Sequence, residues 1–269
     1  MELTNSFERI IPKEVLKKYT FQEVRSAAGA ISASCASEWE DFLECLSKFR
    51  LKTEDLMVSC DRKSRVVETL ENIFYEQGWI ETRVDTEQII YKVPKRDFEN
   101  MSNKLSGMTL EERVHAGKKY PRISLESVFQ EGSLIAALKG RLAVDIKWST
   151  QDEDLDRDIA AYKKWYDLGV IDGAILITKE MKSCKQLVSE LWDRYVQKHP
   201  ELDGLPGPVD LGTSTTTTVE KAQERIKRGD AGGCPILLVG ITSQCWDQIE
   251  IDDARNKEEI LAGARKKKK

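Results

Sequence analysis

Histidine is the scarcest chemically useful residue in this chain, which has only His115 and His199 among its 269 residues. The sequence therefore argues against a reaction built on a histidine base, and any hydrolysis is expected to use carboxylates and a metal ion. The six cysteines form no CxxC pair, which argues against a zinc site. The N-terminus also lacks the basic-then-apolar order of a signal peptide. Reduced thiols in a cytoplasm are therefore expected.

Long apolar runs and flexible linkers are missing too. No segment approaches the roughly 18 apolar residues of a membrane span, so no membrane association is expected. No stretch rich in Pro, Gly and Ser divides the chain, which favours a single domain. We expect an N-terminal helical region at 1–60 packed on a core at 61–250, followed by a charged, disordered tail at 251–269. The lysine-rich end of the tail either attracts phosphates non-specifically or has no role.

The charge balance is acidic overall, with a formal net charge of -4. This value does not indicate a nucleic-acid-binding protein. It does not exclude one, because a cleft can be locally basic while acidic ligands and outer surfaces set the total.

A short polar pattern interrupts an apolar strand at 142–150, LAVDIKWST. Asp145 and Lys147 alternate with apolar residues, so on a strand they share one face. Metal-assisted cleavage of a phosphodiester uses such a pair: the carboxylate binds the cation, and the lysine orients water or stabilises the developing charge. The pattern alone is weak, because in a chain that is 33% charged a half-exposed strand can carry such a pair by chance.

Hydrophobic periodicity predicts a helical N-terminal third. Residues 12–48 read as helices, with Ser37 and Glu40 forming the capping box of the last one. A second amphipathic helix is predicted at Val66–Gln77. Strand-like segments are then expected between Trp79 and Tyr91.

The later part of the chain alternates between strands and helices. A helix at 152–169 follows the strand of Asp145, and a buried strand at Ile171–Thr178 follows the helix. This order predicts a β-α-β crossover, which places the two strands parallel in one sheet. A helix at Cys184–Lys198 and a strand at Pro235–Thr242 are also predicted.

Six small hydroxyl residues, TSTTTT at 213–218, precede a helix that is expected to end near Arg228. Thr217 and Glu220 fit a capping box, so at least one threonine is expected to cap that helix. The remaining hydroxyl groups could donate to phosphates or read base edges.

Several of these segments occur together in the order found in one enzyme family. They include GRLAVDIKW, DRDIAAYKKWYDLGVIDGAILIT and RGDAGGCPILLVGIT, and the helices SEWEDFLECL and VVETLENIFYEQGW. The chain resembles the BglII/BstYI-type restriction endonucleases, relatives of BamHI with the PD-(D/E)xK nuclease fold. The resemblance implies an α/β fold in which a mixed central sheet is flanked by helices, with 61–250 as a nuclease core that carries DNA-contacting loops.

The resemblance also implies an activity and its partners. Relatives are homodimers that cleave double-stranded DNA with Mg²⁺ at a short palindrome, and a two-fold site matches a two-fold dimer. They recognise hexamers centred on GATC and leave four-base 5′ extensions. Such an enzyme belongs to a restriction-modification system, so we expect a bacterial cytoplasmic location and a cognate DNA methyltransferase.

Site residues follow from the same resemblance. Asp145 falls where the family has its second metal-binding acid, and the backbone carbonyl of Ile146 is expected as a further metal ligand. Lys147 falls where relatives have Gln, Glu or Lys. Glu68 matches an acid in the helix before the catalytic core; it either binds a metal or positions a basic group, or it is a solvated helical glutamate.

One position departs from the family pattern. Relatives read I-D-x-V-K-G-R upstream of the catalytic strand, whereas this chain has Ala136 at the position of the metal-binding aspartate. Losing that ligand should abolish or severely weaken Mg²⁺ binding, because a hard cation needs several oxygen ligands. Either the aspartate was replaced by engineering, or the site is naturally inactive or rearranged, with Glu131 or Glu126 as the substitute.

Two loops are candidates for DNA contact. Their hydroxyl residues either contact DNA or only cap and solvate; they are Ser149, Thr150, Ser214, Thr215, Thr216, Thr217 and Thr218. Gln151 is a further candidate just past the strand. The leading hypothesis is a restriction endonuclease. A second is a catalytically inactive, sequence-specific DNA-binding protein on a nuclease scaffold, and a third is an interaction protein unrelated to nucleic acid.

Overall fold

A computed structural model of the chain describes residues 1–58, 64–92, 107–109, 111–113, 115, 124–205, 207, 216–251 and 256–261. The chain divides into two compact units. The larger unit contains Met1–Thr82 and Ile135–Lys269, and the smaller unit is Arg83–Leu134. The expected boundaries after residues 60 and 250 remain predictions.

Nine strands are found in the described part of the chain: β1 (Leu3–Thr4), β2 (Tyr19–Val24), β3 (Ile80–Arg83), β4 (Thr86–Lys92), β5 (Ser124–Gln130), β6 (Leu134–Lys139), β7 (Leu142–Ile146), β8 (Gly173–Lys179) and β9 (Ile236–Ile241). Seven of them form one sheet in the order β1-β2-β9-β8-β7-β6-β3, and β4 and β5 form an antiparallel ribbon. The central strands β7, β8 and β9 are parallel, and the outer pairs β2-β9 and β6-β7 are antiparallel.

Helices cover both faces of the large sheet. Their bounds are α1 (Phe7–Ile10), α2 (Lys13–Leu16), α3 (Ala27–Ser34), α4 (Ala36–Lys48), α5 (Thr53–Met57), α6 (Arg65–Glu76), α7 (Asp152–Asp167), α8 (Met181–Lys198) and α9 (Val219–Arg228). Among the described residues, no helix has both the length and the hydropathy needed to cross a bilayer.

The β-α-β crossover is confirmed. Strand β7 pairs in parallel with β8, and α7 connects them. All five residues of β7 are buried, because both faces of a central parallel strand are covered. Its apolar alternate residues belong to the main hydrophobic core, as do Trp148 just beyond it, Trp39 and Phe42 of α4, and Phe74 of α6.

Two N-terminal predictions were wrong. Residues 12–48 are not all helical, because Tyr19–Val24 forms β2 against β9. Tyr19 and Phe21 alternate into the core, a period of two that the helical interpretation overlooked. Ser37 does not cap α4, which begins one residue earlier; its hydroxyl bonds Glu38 instead.

The helix predicted after the threonine run is present but begins one residue later than expected. Thr218, rather than Thr217, is the N-cap of α9 and accepts a hydrogen bond of 3.4 Å from the backbone N–H of Lys221. Glu220 does not close a capping box and accepts from the N–H of Met181 instead. Gly229 ends the helix with φ of 96°, a left-handed conformation that glycine adopts without a steric penalty.

Candidate active site beside strand β7

Asp145 is a buried carboxylate held from two sides. Only 3% of its surface is exposed. The backbone N–H of Ala136 donates to Oδ1 at 2.9 Å, and the hydroxyl of Tyr162 donates to Oδ2 at 2.6 Å. Because both oxygens accept hydrogen bonds, the carboxylate has a fixed orientation although it lies in an apolar strand.

Lys147 continues the same face of the chain just beyond β7. Its Nζ lies 3.0 Å from Oδ2 of Asp158, and the two side chains are 17% and 7% exposed. Burial raises the pKa of the Asp158 carboxyl, the ammonium of Lys147 opposes that rise, and the negative charge of Asp145 adds to it. The ion pair is therefore close enough to Asp145 to interact with its charge electrostatically.

Tyr162 acts as a neutral hydrogen-bond donor in this site. Burial, followed by the negative charges of Asp145 and Asp158, raises its pKa well above the usual value of 10.0. A phenol that stays protonated can donate to Asp145 throughout the physiological pH range.

Ala136 lies opposite Asp145 across the antiparallel pair of β6 and β7. The ladder pairs Ala137 with Val144, and one residue beyond this pair the backbone N–H of Ala136 donates to Oδ1 of Asp145. Side chains in directly opposite positions share one face, with Cβ atoms roughly 4.5–5.5 Å apart. An acidic side chain at 136 would therefore stand next to Asp145, whereas the alanine presents a methyl group.

The residues present do not fit a Mg²⁺ site. Within the described residues, no group of three or more His, Cys, Asp or Glu side chains is placed to hold a metal ion. Of the two acids in the site, Asp158 is already paired with Lys147. Ile146, whose carbonyl was expected to be a ligand, lies at the end of β7 opposite Ile177. Mg²⁺ requires an octahedral oxygen shell, to which the described residues of this site contribute the carboxylate of Asp145, whose two oxygens already accept hydrogen bonds.

The other acidic candidates lie in different surroundings. Glu68 is on the exposed side of α6. Glu126 and Glu131 belong to the smaller unit, where Glu126 forms an ion pair with Lys92 and Glu131 lies 3.7 Å from Arg83.

The threonine loop is joined to the segment that follows β7. The backbone N–H of Thr217 donates to the carbonyl of Thr150 at 3.0 Å, and its hydroxyl lies 3.2 Å from the carbonyls of Thr150 and Gln151. Thr216 forms an isolated antiparallel bridge with Gln151. Thr216 and Thr217 are therefore held against the residues just past Lys147.

The predicted DNA-contact residues differ in exposure. Ser149 is exposed, whereas Thr150 and Thr216 are half-buried. Thr217 and Thr218 are 0% and 4% exposed, and both bond to the protein. Ser214 and Thr215 lie outside the described residues.

Three polar residues beside β7 were missed by the sequence interpretation. Asp158 and Tyr162 lie one helical turn apart on the buried side of α7, among Leu155 and Ile159. Lys179 is 1% exposed at the end of β8, and its ammonium donates to the carbonyl of Trp148. Each of these polar residues occupies a position that the helical or strand pattern assigns to the buried side, and this could have identified them from the sequence.

A family model described as restriction endonuclease BglII/BglIII matches residues 19–241. The chain belongs to this family. Its mixed seven-stranded sheet flanked by helices is the restriction endonuclease-like fold that the sequence resemblance implied. Members are type II restriction endonucleases, which are site-specific nucleases acting on DNA. No curated protein sequence matches the chain at a significant level.

Proposed function

We propose that this chain is a type II restriction endonuclease of the BglII family whose cleavage activity is lost because Ala136 replaces a metal-binding aspartate. The observation that supports this proposal is the hydrogen bond of 2.9 Å that the backbone N–H of Ala136 donates to the buried carboxylate of Asp145, one residue beyond the last pair of the β6-β7 ladder. An aspartate-to-alanine replacement at position 136 is favoured over a rearranged site, because the two candidate substitutes, Glu126 and Glu131, each lie near a basic residue of the smaller unit.

The proposed activity is Mg²⁺-dependent cleavage of both strands of a palindromic DNA site by a homodimer, with a GATC-centred sequence and a 5′ overhang. An aspartate at position 136 would supply the second carboxylate that the cation lacks in this chain. Asp145 is held in a fixed orientation for that role. Lys147 continues the face of Asp145 just beyond β7, and its role is to orient the attacking water or to stabilise the developing negative charge.

DNA is proposed to run along the loops that follow β7 and precede α9. Ser149 and Thr150 are the accessible candidates after the strand, and Thr216 with Ser214 and Thr215 form the second set. Thr217 and Thr218 are better explained as the anchor and the cap of that loop, since both are buried and bonded to protein. A bacterial cytoplasm and a cognate methyltransferase complete the proposed system.

Restoring the aspartate tests the proposal directly. The Ala136→Asp protein, incubated with Mg²⁺ and a mixed-sequence plasmid, should produce discrete fragments, and sequencing their ends should give one palindrome with a four-base 5′ extension. The parent chain and Ala136→Asn are matched controls that should leave the plasmid uncut. Absence of discrete fragments from Ala136→Asp at any Mg²⁺ concentration would refute the proposed loss of a metal ligand.

A DNA-binding protein without nuclease activity is the second candidate function. The alanine at position 136 favours it, because the described residues contain no group of three or more His, Cys, Asp or Glu side chains placed to hold a metal ion. Gel-shift selection from random duplexes distinguishes the two candidates. Two-fold-symmetric, sequence-specific binding that persists without cleavage in Ala136→Asp would establish the second.

A further inference from the structure

We propose that Asp158 and Tyr162 of α7 are positioning residues for DNA cleavage: Asp158 directs the ammonium of Lys147, and Tyr162 fixes the carboxylate of Asp145. This inference rests on the proposed function, since it assigns both residues to the cleavage step. Neither residue contacts DNA in this assignment, and each acts through the catalytic side chain that it touches.

The repeat distances of strand and helix make the two contacts compatible. Asp145 and Lys147 are two residues apart, which corresponds to about 6.6 Å along an extended chain. Asp158 and Tyr162 are four residues apart, which corresponds to about 6 Å along a helix. Because the crossover helix runs back along the sheet, Tyr162 meets Asp145 at 2.6 Å while Asp158 meets Lys147 at 3.0 Å.

Both residues are buried, so their polar groups lose the free energy of hydration when the protein folds. Tyr162 is 1% exposed and Asp158 is 6% exposed. A buried ion pair adds little stability over apolar residues of similar volume, because desolvation offsets the attraction of the charges. The arrangement therefore contributes orientation more than stability, which is what a water-orienting lysine and a fixed carboxylate require.

Hydrogen-bond partners of catalytic and metal-binding groups have a characteristic energetic effect. Their loss typically reduces metal affinity or activity 10–100-fold. The turnover number kcat should therefore fall, whereas the affinity for DNA should not change. A merely structural role would lower stability and leave the kcat of the folded fraction unchanged.

The first experiment tests the ion pair in the parent chain and needs no cleavage. Thermal unfolding is measured for Lys147→Met, for Asp158→Asn and for the double variant. We expect the double variant to lose clearly less in Tm than the sum of the two single losses, because both changes remove the same pair. Additive losses would overturn the assignment of Asp158 to Lys147.

The second experiment uses the Ala136→Asp background. Asp158→Asn and Tyr162→Phe should each lower kcat roughly 10–100-fold with an unchanged Kd for cognate DNA in Ca²⁺, and Asp158→Glu should restore part of the loss. Asp156→Asn is the matched control on the same helix, because Asp156 pairs with Arg225 instead; its kcat should not change.

The outcomes separate the two proposals. If Ala136→Asp cleaves and its kcat is unaffected by Asp158→Asn and Tyr162→Phe, the positioning inference is wrong and the proposed function stands. If Ala136→Asp does not cleave at all, the proposed function is wrong and the positioning inference falls with it.

Discussion

Placing an aspartate at position 136 should destabilise the metal-free protein and make its stability depend on Mg²⁺. The half-buried methyl group of Ala136 lies on the same face as the carboxylate of Asp145, which is 3% exposed. Ala136→Asp would therefore create two like charges on adjacent antiparallel strands. Like charges in directly opposite positions of a sheet repel each other.

The size of the effect follows from that geometry. Carboxylates roughly 5 Å apart repel by about 3 kcal/mol at an effective dielectric constant near 20. For a protein of this size, about 1 kcal/mol corresponds to a change in Tm of roughly 2–4 °C, so the expected loss is about 6–12 °C. Mg²⁺ at a hundred times its Kd stabilises the folded state by about 2.7 kcal/mol and should recover most of that loss.

Differential scanning fluorimetry at pH 7 measures both effects. Ala136→Asn has nearly the same size without the charge, so it separates repulsion from crowding. We expect Mg²⁺ to raise the Tm of Ala136→Asp and to leave the parent and Ala136→Asn unchanged. Equal Tm values for Ala136→Asp and Ala136→Asn, with no response to Mg²⁺, would refute the adjacency of positions 136 and 145.

Three further predictions concern the scaffold around the site. Burial lowers the pKa of Lys179 from 10.5 to about 8, so between these pH values the unfolded chain binds more protons than the folded one. The free energy of unfolding of the parent should therefore rise by about 3 kcal/mol from pH 8 to 10.5 relative to Lys179→Met. Urea denaturation of both proteins at both pH values measures this, and an equal change in the two proteins would contradict it. Thr217→Val removes the buried hydroxyl that contacts the carbonyls of Thr150 and Gln151 and should cost about 1 kcal/mol in urea denaturation, against less than about 0.5 for the exposed control Ser149→Ala. Gly173→Ala would place a Cβ 2.6 Å from Cγ1 of Ile31 and should cost about 1–3 kcal/mol through overpacking, whereas a neutral result would show that Ile31 can move aside.

Local periodicity was sufficient to predict the central part of the fold. Residues 152–167 repeat apolar side chains at helical spacing between two apolar strands. A helix in that place connects two parallel strands of one sheet by a crossover, which is right-handed in nearly all proteins. The same local information placed Asp145 and Lys147 on one face. The face they share could be predicted because side-chain direction alternates strictly along a strand.

The partners of those two residues could not be predicted, because they depend on tertiary packing. Tyr162 belongs to the apolar repeat of the predicted helix and Asp158 is one of its many charged residues, and only the approach of α7 to β7 gives them their contacts. Strand β2 was missed for a related reason. Its sequence YTFQEV is short, and its pairing with β9 joins segments more than 200 residues apart.

The polar side chains around position 136 favour the loss of one ligand over a site that never cleaved DNA. Asp158 and Tyr162 are buried polar groups whose desolvation is costly, and apolar residues of similar size would pack α7 against the sheet at least as well. A protein that only binds DNA would gain nothing from orienting a carboxylate and an ammonium two residues apart on a buried strand. An enzyme that orients water at a phosphodiester would use both, and the methyl group of Ala136 is the one element beside Asp145 that does not serve such a site.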